Sequence, residues 1–385
     1  MLTLRTATRW CLCLFLVSAT TFAKDYTDVP WHKLKATKIP VELHSRALEL
    51  RDYANAGDVR YIYYALHAAH FGKRQVRQIQ ERLRKPDDSH FTHTELAEIS
   101  QRLYTSLETQ FDDLFSDTYT WQFVHHRKYR KRHFLLYRIE SSEGAYDYID
   151  FEFLQQNHQW LLIDWYTRST DTWISAVFSR SFQLAFNAQQ HPGRVSQNLL
   201  SFINPENRDL MARFDALTAR QKQDPMLQAF LVGHTSRYFP EKTGEANQRL
   251  SEWAAPNKFL IFKFNHAYEH NNFRLALQLS EQLQTQLGQD ENLALMQAEL
   301  LYQLGETRRA DKLVANSIRR YPDSQKLFYT TLMLFGYYQK YPQAVLVLDI
   351  LKSEFDLLLD EEALQNISGL EDFVASAEYK NWLSR

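Results

Sequence analysis

The sequence predicts an α+β domain followed by an all-α array of helix pairs, and three observations carry that reading. Residues 119–168 adopt a two-residue apolar period in four successive segments, the mark of antiparallel strands. Ala276, Ala310 and Ala344 then recur 34 residues apart, the length of one helix–turn–helix unit. Only 10 glycines occur in 385 residues, which suits a helix-rich body with few left-handed turns. At roughly 150 residues per domain, the chain is long enough for two cores.

Hydrophobic residues make up 44% and charged residues 24%, with a formal net charge of −1. That balance provides no global attraction to nucleic acid, so no nucleic-acid partner is expected and any electrostatic partner must be met by a local patch. Residues 1–23 have the layout of an export signal: Arg5 and Arg9, a short apolar run from Trp10 to Val17, and the small-x-small site Thr21-Phe22-Ala23. The run is too short for a bilayer core of about 30 Å, which needs roughly 20 apolar residues. Both cysteines, Cys11 and Cys13, lie inside it, so cleavage after Ala23 leaves a chain without thiols, which fits a bacterial periplasm.

The α+β domain is expected over residues 24–190. Pro30 and Pro40 mark an extended lead-in. Asp58 can cap a helix with the face Ile62, Leu66 and Ala69, which Gly72 can end. Thr92 and Glu95 stand as a capping box before a long helix striped by Leu96, Ile99, Leu103, Leu107, Phe111 and Leu114. Four strands follow at 119–127, 132–140, 145–155 and 159–168, packed as one antiparallel sheet on that helix. In the third, Asp147, Ile149, Phe151 and Phe153 share one face and Tyr146, Tyr148, Asp150 and Glu152 the other, so neither face is cleanly polar. A helix from Trp173 to about residue 188, with Ile174, Phe178, Phe182 and Ala185 on one side, closes the domain before Pro192-Gly193.

Trp160-Leu161-Leu162-Ile163-Asp164 followed by Trp173-Ile174-Ser175 resembles the last strand and strand-to-helix junction of the cystatin-like or nuclear-transport-factor-like fold of exported proteins. The resemblance implies a curved sheet around a long helix, able to enclose a pocket. Those proteins usually place glycine before the helix; here Asp171-Thr172 stands there, and Asp accepts the left-handed conformation better than most residues.

Residues 191–256 read as a helical joint, with Leu210, Phe214 and Leu217 in one stripe and Met226, Leu227, Phe230 and Leu231 after Pro225 in another. Residues 257–356 hold three repeat units, and residues 357–385 a capping helix carrying Leu370, Phe373, Ala377 and Trp382. The middle unit, with Ala298, Gly305, Ala310 and Pro322, resembles the tetratricopeptide repeat; the third has Gln339 where the turn glycine would stand. In that family the first helices line a groove for a protein or peptide. Carried over by position, the groove residues are Lys258, Ile261, Asn265 and Tyr268; Asn292, Leu295, Glu299 and Tyr302; and Lys326, Tyr329, Met333 and Gly336.

The densest charge is His125-His126-Arg127-Lys128-Tyr129-Arg130-Lys131-Arg132-His133 at a predicted hairpin tip. Arg127, Lys128, Arg130, Lys131 and Arg132 there are candidates for contact with an anionic lipid surface or acidic partner, strengthened as the histidines protonate near pH 6; the alternative is a solvated hairpin that keeps the sheet edge from aggregating. His67 with His70, and His90 with His93, lack a third ligand at a metal-site spacing. Asp150, Glu152 and Asp164 could do acid–base work, but Asp164 at a strand end more often holds the junction backbone. With no Gly-x-Ser-x-Gly, phosphate loop or mature cysteine, no catalytic residue and no cofactor is assigned. The sequence therefore points to an exported, non-catalytic interaction scaffold, the alternative being a carrier of an apolar ligand such as a lipid in the sheet domain.

Overall fold

A computed structural model of the chain describes residues 29–83, 98, 101, 105, 119–141, 146–179, 197–202, 209–357, 359–367 and 369–384. The signal stretch 1–23, the capping box Thr92/Glu95, the pair His90/His93 and Phe182 with Ala185 lie outside those residues. Within the long-helix stretch, residues 98, 101 and 105 are helical. The chain divides into two compact units, Met1–His266 and Ala267–Arg385.

The first unit starts with a 3-10 turn, Trp31–Lys33, and a two-residue strand β1, Lys35–Ala36. Helix α1, Val41–Asn55, buries Leu43, Ala47, Leu50 and Ala54, the i, i+4, i+7, i+11 stripe of one helix face. Short α2, Arg60–Ala65, and α3, Ala68–Leu83, follow. One helix ended by Gly72 is therefore not what forms. Leu66 leaves the helix to bridge Leu162, and the His67 N–H donates to the Leu162 carbonyl at 2.8 Å, so the break falls there and Gly72 sits inside α3.

The sheet has six strands rather than four. β2 (Tyr119–Tyr129), β3 (Arg132–Ser141), β4 (Tyr146–Gln156) and β5 (Gln159–Thr167) form the expected antiparallel meander. β1 and β6 (Thr172–Trp173) extend it at the two edges. Two residues are too few to show a two-residue period, so these strands leave no trace in sequence. The β4–β5 connection has Asn157 and His158 at φ 49° and 62°, the left-handed pair that lets a two-residue hairpin match strand twist. Asp171 takes φ 54° at the junction before helix α4, residues 174–179, filling the place of the absent glycine.

Ile149, Phe151 and Phe153 of β4 face the core with Leu135, Tyr137, Leu162 and Trp165. The Tyr137 hydroxyl donates to the Ala47 carbonyl at 2.8 Å, and the Asn55 amide exchanges hydrogen bonds with the Trp121 backbone at 2.7 and 3.0 Å, fixing α1 to the sheet. The segment read as a joint belongs to this core. Helices α5 (Gln197–Phe202), α6 (Leu210–Asp215), α8 (Pro225–Tyr238) and α9 (Thr243–Trp253) contribute Leu199, Phe202, Leu210, Phe214, Leu227 and Leu250 to the same cluster, while the one-turn α7 (Ala219–Lys222) buries none of its residues.

Helix α10, Leu260–Glu269, contains the division between the units. Helix α11, Phe273–Leu287, follows it; α12, Glu291–Gln303, pairs with α13, Thr307–Arg320, and α14, Gln325–Tyr337, with α15, Tyr341–Phe355. The second helices begin 34 residues apart, and Ala276, Ala310 and Ala344 are fully buried. The turns repeat with them. Asn271, Gly305 and Gln339 have φ 57°, 74° and 55°, and each lies between two closing hydrogen bonds. Asn272, Glu306 and Lys340 N–H donate to the carbonyls of Ala267, Leu301 and Phe335 at 2.8, 2.8 and 2.7 Å, while Asn271, Gly305 and Gln339 N–H reach Tyr268, Tyr302 and Gly336 at 3.0, 2.9 and 3.1 Å. This is the Schellman closure of a helix, made three times in one register.

The predicted capping helix is instead three short helices, α16 (Glu361–Gln365), α17 (Glu371–Ala375) and α18 (Ala377–Leu383). Asp360 and Ser376 each cap the helix that follows them, so the segment restarts where one helix would run on. Leu370, Phe373 and Tyr379 are buried, and Trp382 Nε1 donates to Asp349 Oδ1 at 2.5 Å.

A Cβ added to Gly305 meets nothing within 4 Å, so only its left-handed backbone penalises a side chain there. Gly305→Ala should cost about 1 kcal/mol, and Gln339→Gly should gain several tenths of a kcal/mol, as read from urea denaturation followed by circular dichroism.

Candidate functional site

The basic hairpin is not a uniformly solvated patch. Lys128, Arg130 and Lys131 are exposed around the turn, where Arg130 takes φ 56°. Arg127 and Arg132 turn onto the outer sheet face instead, the face that carries Asp150 and Glu152. Strand alternation accounts for the split: once strands run to Tyr129 and from Arg132, Arg127 and Arg132 share a face with the β4 carboxylates.

That face is a buried lattice of carboxylates and guanidinium groups. Asp150 is fully buried and bonded to Arg127 and to Arg168, whose Nε and Nη2 donate at 2.9 and 2.5 Å. Glu152 accepts from Arg132 Nε at 2.5 Å, Arg132 Nη2 at 2.7 Å and Arg74 Nη1 at 2.6 Å. Burial raises the pKa of both carboxyls, but the attraction of Arg127 and Arg168 for one, and of Arg74 and Arg132 for the other, is greater and holds both below their ordinary range. Asp164 is different. It accepts from Ser175 Oγ at 2.5 Å and from the Ser175 and Trp165 N–H groups at 3.2 and 2.9 Å, and lies 3.1 Å from Arg74 Nε. Burial outweighs these partners, with Glu152 adding repulsion, and pushes its pKa to about 6. Its bonds to Ser175 pin the strand-to-helix junction.

Aromatic rings close the lattice. Trp31 lies 4.8 Å from the Tyr166 ring, stacks at 6.0 Å on Trp173 and has the Arg168 guanidinium 3.8 Å from its centroid; Arg74 sits 4.5 Å over Trp173. Arg74, Arg168 and Trp31 are the residues that sequence reasoning missed, and Trp173, read there as the start of a helix, is the last residue of β6. The one available signal was the unexplained acidity of Asp150 and Glu152 on a strand with no polar face. His67 and His70 stand with ring centroids 4.8 Å apart, and His70 Nε2 meets Gln156 Oε1 at 2.7 Å.

His126 and His133 are also inward, their rings stacked at 5.1 Å with His126 Nε2 2.9 Å from His133 Nδ1. Thr37, in the N-terminal strap formed by residues 29–40, covers His126 Nδ1, its carbonyl at 3.3 Å. Protons on Nδ1 of both rings satisfy both contacts with the pair neutral. Burial lowers both pKa values, that of His133 to about 4 with help from His126 and Lys128. The expectation that these histidines charge near pH 6 is corrected by their burial.

Of the groove positions, Lys258, Ile261 and Asn265 fall in the first unit and the others in the second. Lys258 lies 3.1 Å from Asp171, and Asn265 is half-buried. Ile261 and Leu295, at one repeat position, are buried in the helix packing, not groove-lining. Tyr268 donates to Glu299 at 2.6 Å, and Tyr302 donates to Asp311 at 2.6 Å while stacking on Tyr338 at 4.6 Å, so these side chains tie neighbouring helices together. Gly336 lies against Leu370, where an added Cβ would collide, and is likewise no groove position. Asn292, Tyr329 and Met333 are half-buried and Lys326 is exposed; these four retain accessible surface along α12 and α14.

No family model, curated protein or solved structure matches the chain. Among the described residues, no helix is long and apolar enough to cross a membrane, and no three His, Cys, Asp or Glu side chains are grouped to hold a metal ion. Chemically, the acceptors of Asp150, Glu152 and Asp164 are engaged by donors of the protein itself, so the lattice acts as a fastening between sheet, α3 and the N-terminal strap.

Two outcomes follow from this geometry. Asp150→Asn leaves Arg127 and Arg168, each 2% exposed, without their carboxylate and should cost about 3–5 kcal/mol in chemical denaturation. The second concerns pH. With His133 at about 4 when folded and 6.5 ordinarily, the unfolded chain binds the proton first, so its stabilisation is complete above pH 6.5 and lost as pH falls through 4. His133→Gln, which keeps a donor for His126, should flatten that stretch of the stability–pH curve relative to the native chain by about 1–3 kcal/mol, at about 1.4 kcal/mol per pKa unit.

Proposed function

We infer that this chain is an exported, non-catalytic scaffold: a cystatin-like domain followed by a tetratricopeptide-type solenoid that holds a protein or peptide along its first helices. The observation that carries this reading is the triple recurrence of the left-handed turn at Asn271, Gly305 and Gln339, with matching hydrogen bonds and with Ala276, Ala310 and Ala344 fully buried at one spacing. Helix pairs of this length cannot bury an apolar face singly and do so by stacking, which leaves a row of side chains on the first helices for a partner. Asn292, Lys326, Tyr329 and Met333 supply an amide, an ammonium, an aromatic ring and a thioether there, a set that can hydrogen-bond an extended backbone and seat its side chains. The bonds of Tyr268, Glu299 and Tyr302 make them supports of the groove rather than its contact residues.

Selection of a random displayed peptide library on the purified protein tests this. Enriched peptides should lose at least about tenfold in affinity for an Asn292→Ala/Tyr329→Ala/Met333→Ala variant whose thermal melt is unchanged. Undiminished binding to that variant would refute the groove.

A further inference from the structure

The second helix of the middle pair has a strongly basic outer face. On α13, Ala310, Val314 and Ser317 are buried, while Arg308, Arg309, Lys312, Arg319 and Arg320 are exposed. At 3.6 residues per turn, Arg308, Lys312 and Arg319 form one stripe, with Arg309 and Arg320 beside it. The helix has one acid, Asp311, and Lys340 approaches it at 2.9 Å; Arg309 is drawn to Glu306 and, at 3.8 Å, to Glu281. Arg308, Lys312, Arg319 and Arg320 make no ion pair with a described carboxylate. Like charges four residues apart on a helix repel, so a face of this kind gains from an acidic partner.

The same unit carries a surface of opposite sign. Asp356, Asp360, Glu361, Glu362, Glu371 and Asp372 are exposed, and no lysine or arginine occurs between Ser353 and Tyr379. Among the described residues the two surfaces form no ion pair with each other within one chain. We propose that the basic face of α13 binds this acidic surface on a second copy of this chain, through the described carboxylates from Glu354 to Asp372. Because the two patches differ, the contact is heterologous: each copy offers one of each kind, and copies join head to tail into a ring or an open chain. The attraction is between solvated charges, so it is strong at low ionic strength and screened where the Debye length falls below about 8 Å. The contact does not depend on the groove described above.

Sedimentation velocity of the full chain tests it. Association should be seen at about 0.05 M NaCl and weaken about tenfold or more by about 0.5 M. Arg308→Glu/Lys312→Glu/Arg319→Glu and Glu354→Lys/Glu362→Lys/Asp372→Lys should each be monomeric alone at low salt. An equimolar mixture should associate, because each native patch then finds its native complement and each reversed patch a reversed one. That rescue also shows that both variants are folded. Lys128→Glu/Arg130→Glu/Lys131→Glu in the hairpin should associate as the native chain does. A chain that stays monomeric at every salt concentration overturns the proposal, as does association indifferent to salt, loss of association through the hairpin variant alone, or an unrescued mixture. Binding of anionic phosphatidylserine vesicles through α13 without self-association would overturn it in favour of a membrane.

Discussion

The first unit depends on keeping Asp150 and Glu152 ionised out of water. Their strand needs Ile149, Phe151 and Phe153 for the core on one face, and strand alternation then sends both carboxylates to the other. Covering that face would be prohibitive without countercharges, since desolvating an ion costs several kcal/mol even after relaxation. Each carboxylate therefore has two arginines, and the arginines in turn lie against Trp31 and Trp173. The position of α3, the path of the N-terminal strap and the burial of Arg127 and Arg132 on the outer sheet face all meet that requirement.

Hydrophobic period made the four long strands legible in the sequence almost to the residue. What it could not show was where charged residues go when both sheet faces are covered. Arg127 to Arg132 reads as a run of exposed cations, but a run on a strand is two interleaved sets, and the carboxylates opposite decide which arginines are buried on the outer sheet face. Leu66 shows a related limit: its helical spacing with Ile62 was real, yet pairing with Leu162 in a distant strand overrode it. Asp171 is the opposite case, where a local preference was enough to foresee a left-handed residue.

In the second unit, spacing carried more than residue type. Gly305 marks one turn openly, while Asn271 and Gln339 adopt the same conformation without being glycine, because the closing backbone hydrogen bonds hold the chain there. The availability of the positions expected to line a groove was harder to read. A family position gives a direction from the helix axis, but whether the side chain remains available depends on what its neighbours do, and Tyr268, Glu299 and Tyr302 spend theirs on one another or on Asp311.

The strap that carries Trp31 is held by chain made long after it. Its ring packs among Phe134, Tyr166, Arg168 and Trp173, residues that leave the ribosome more than a hundred positions later, and β1 pairs with β2, some ninety positions on. Contacts so distant along the chain form only after loop closure has been achieved by other means. The earliest-made part of the described chain therefore relies for its place on residues far along the sequence, and the cover it gives the guanidinium lattice is a wholly non-local one.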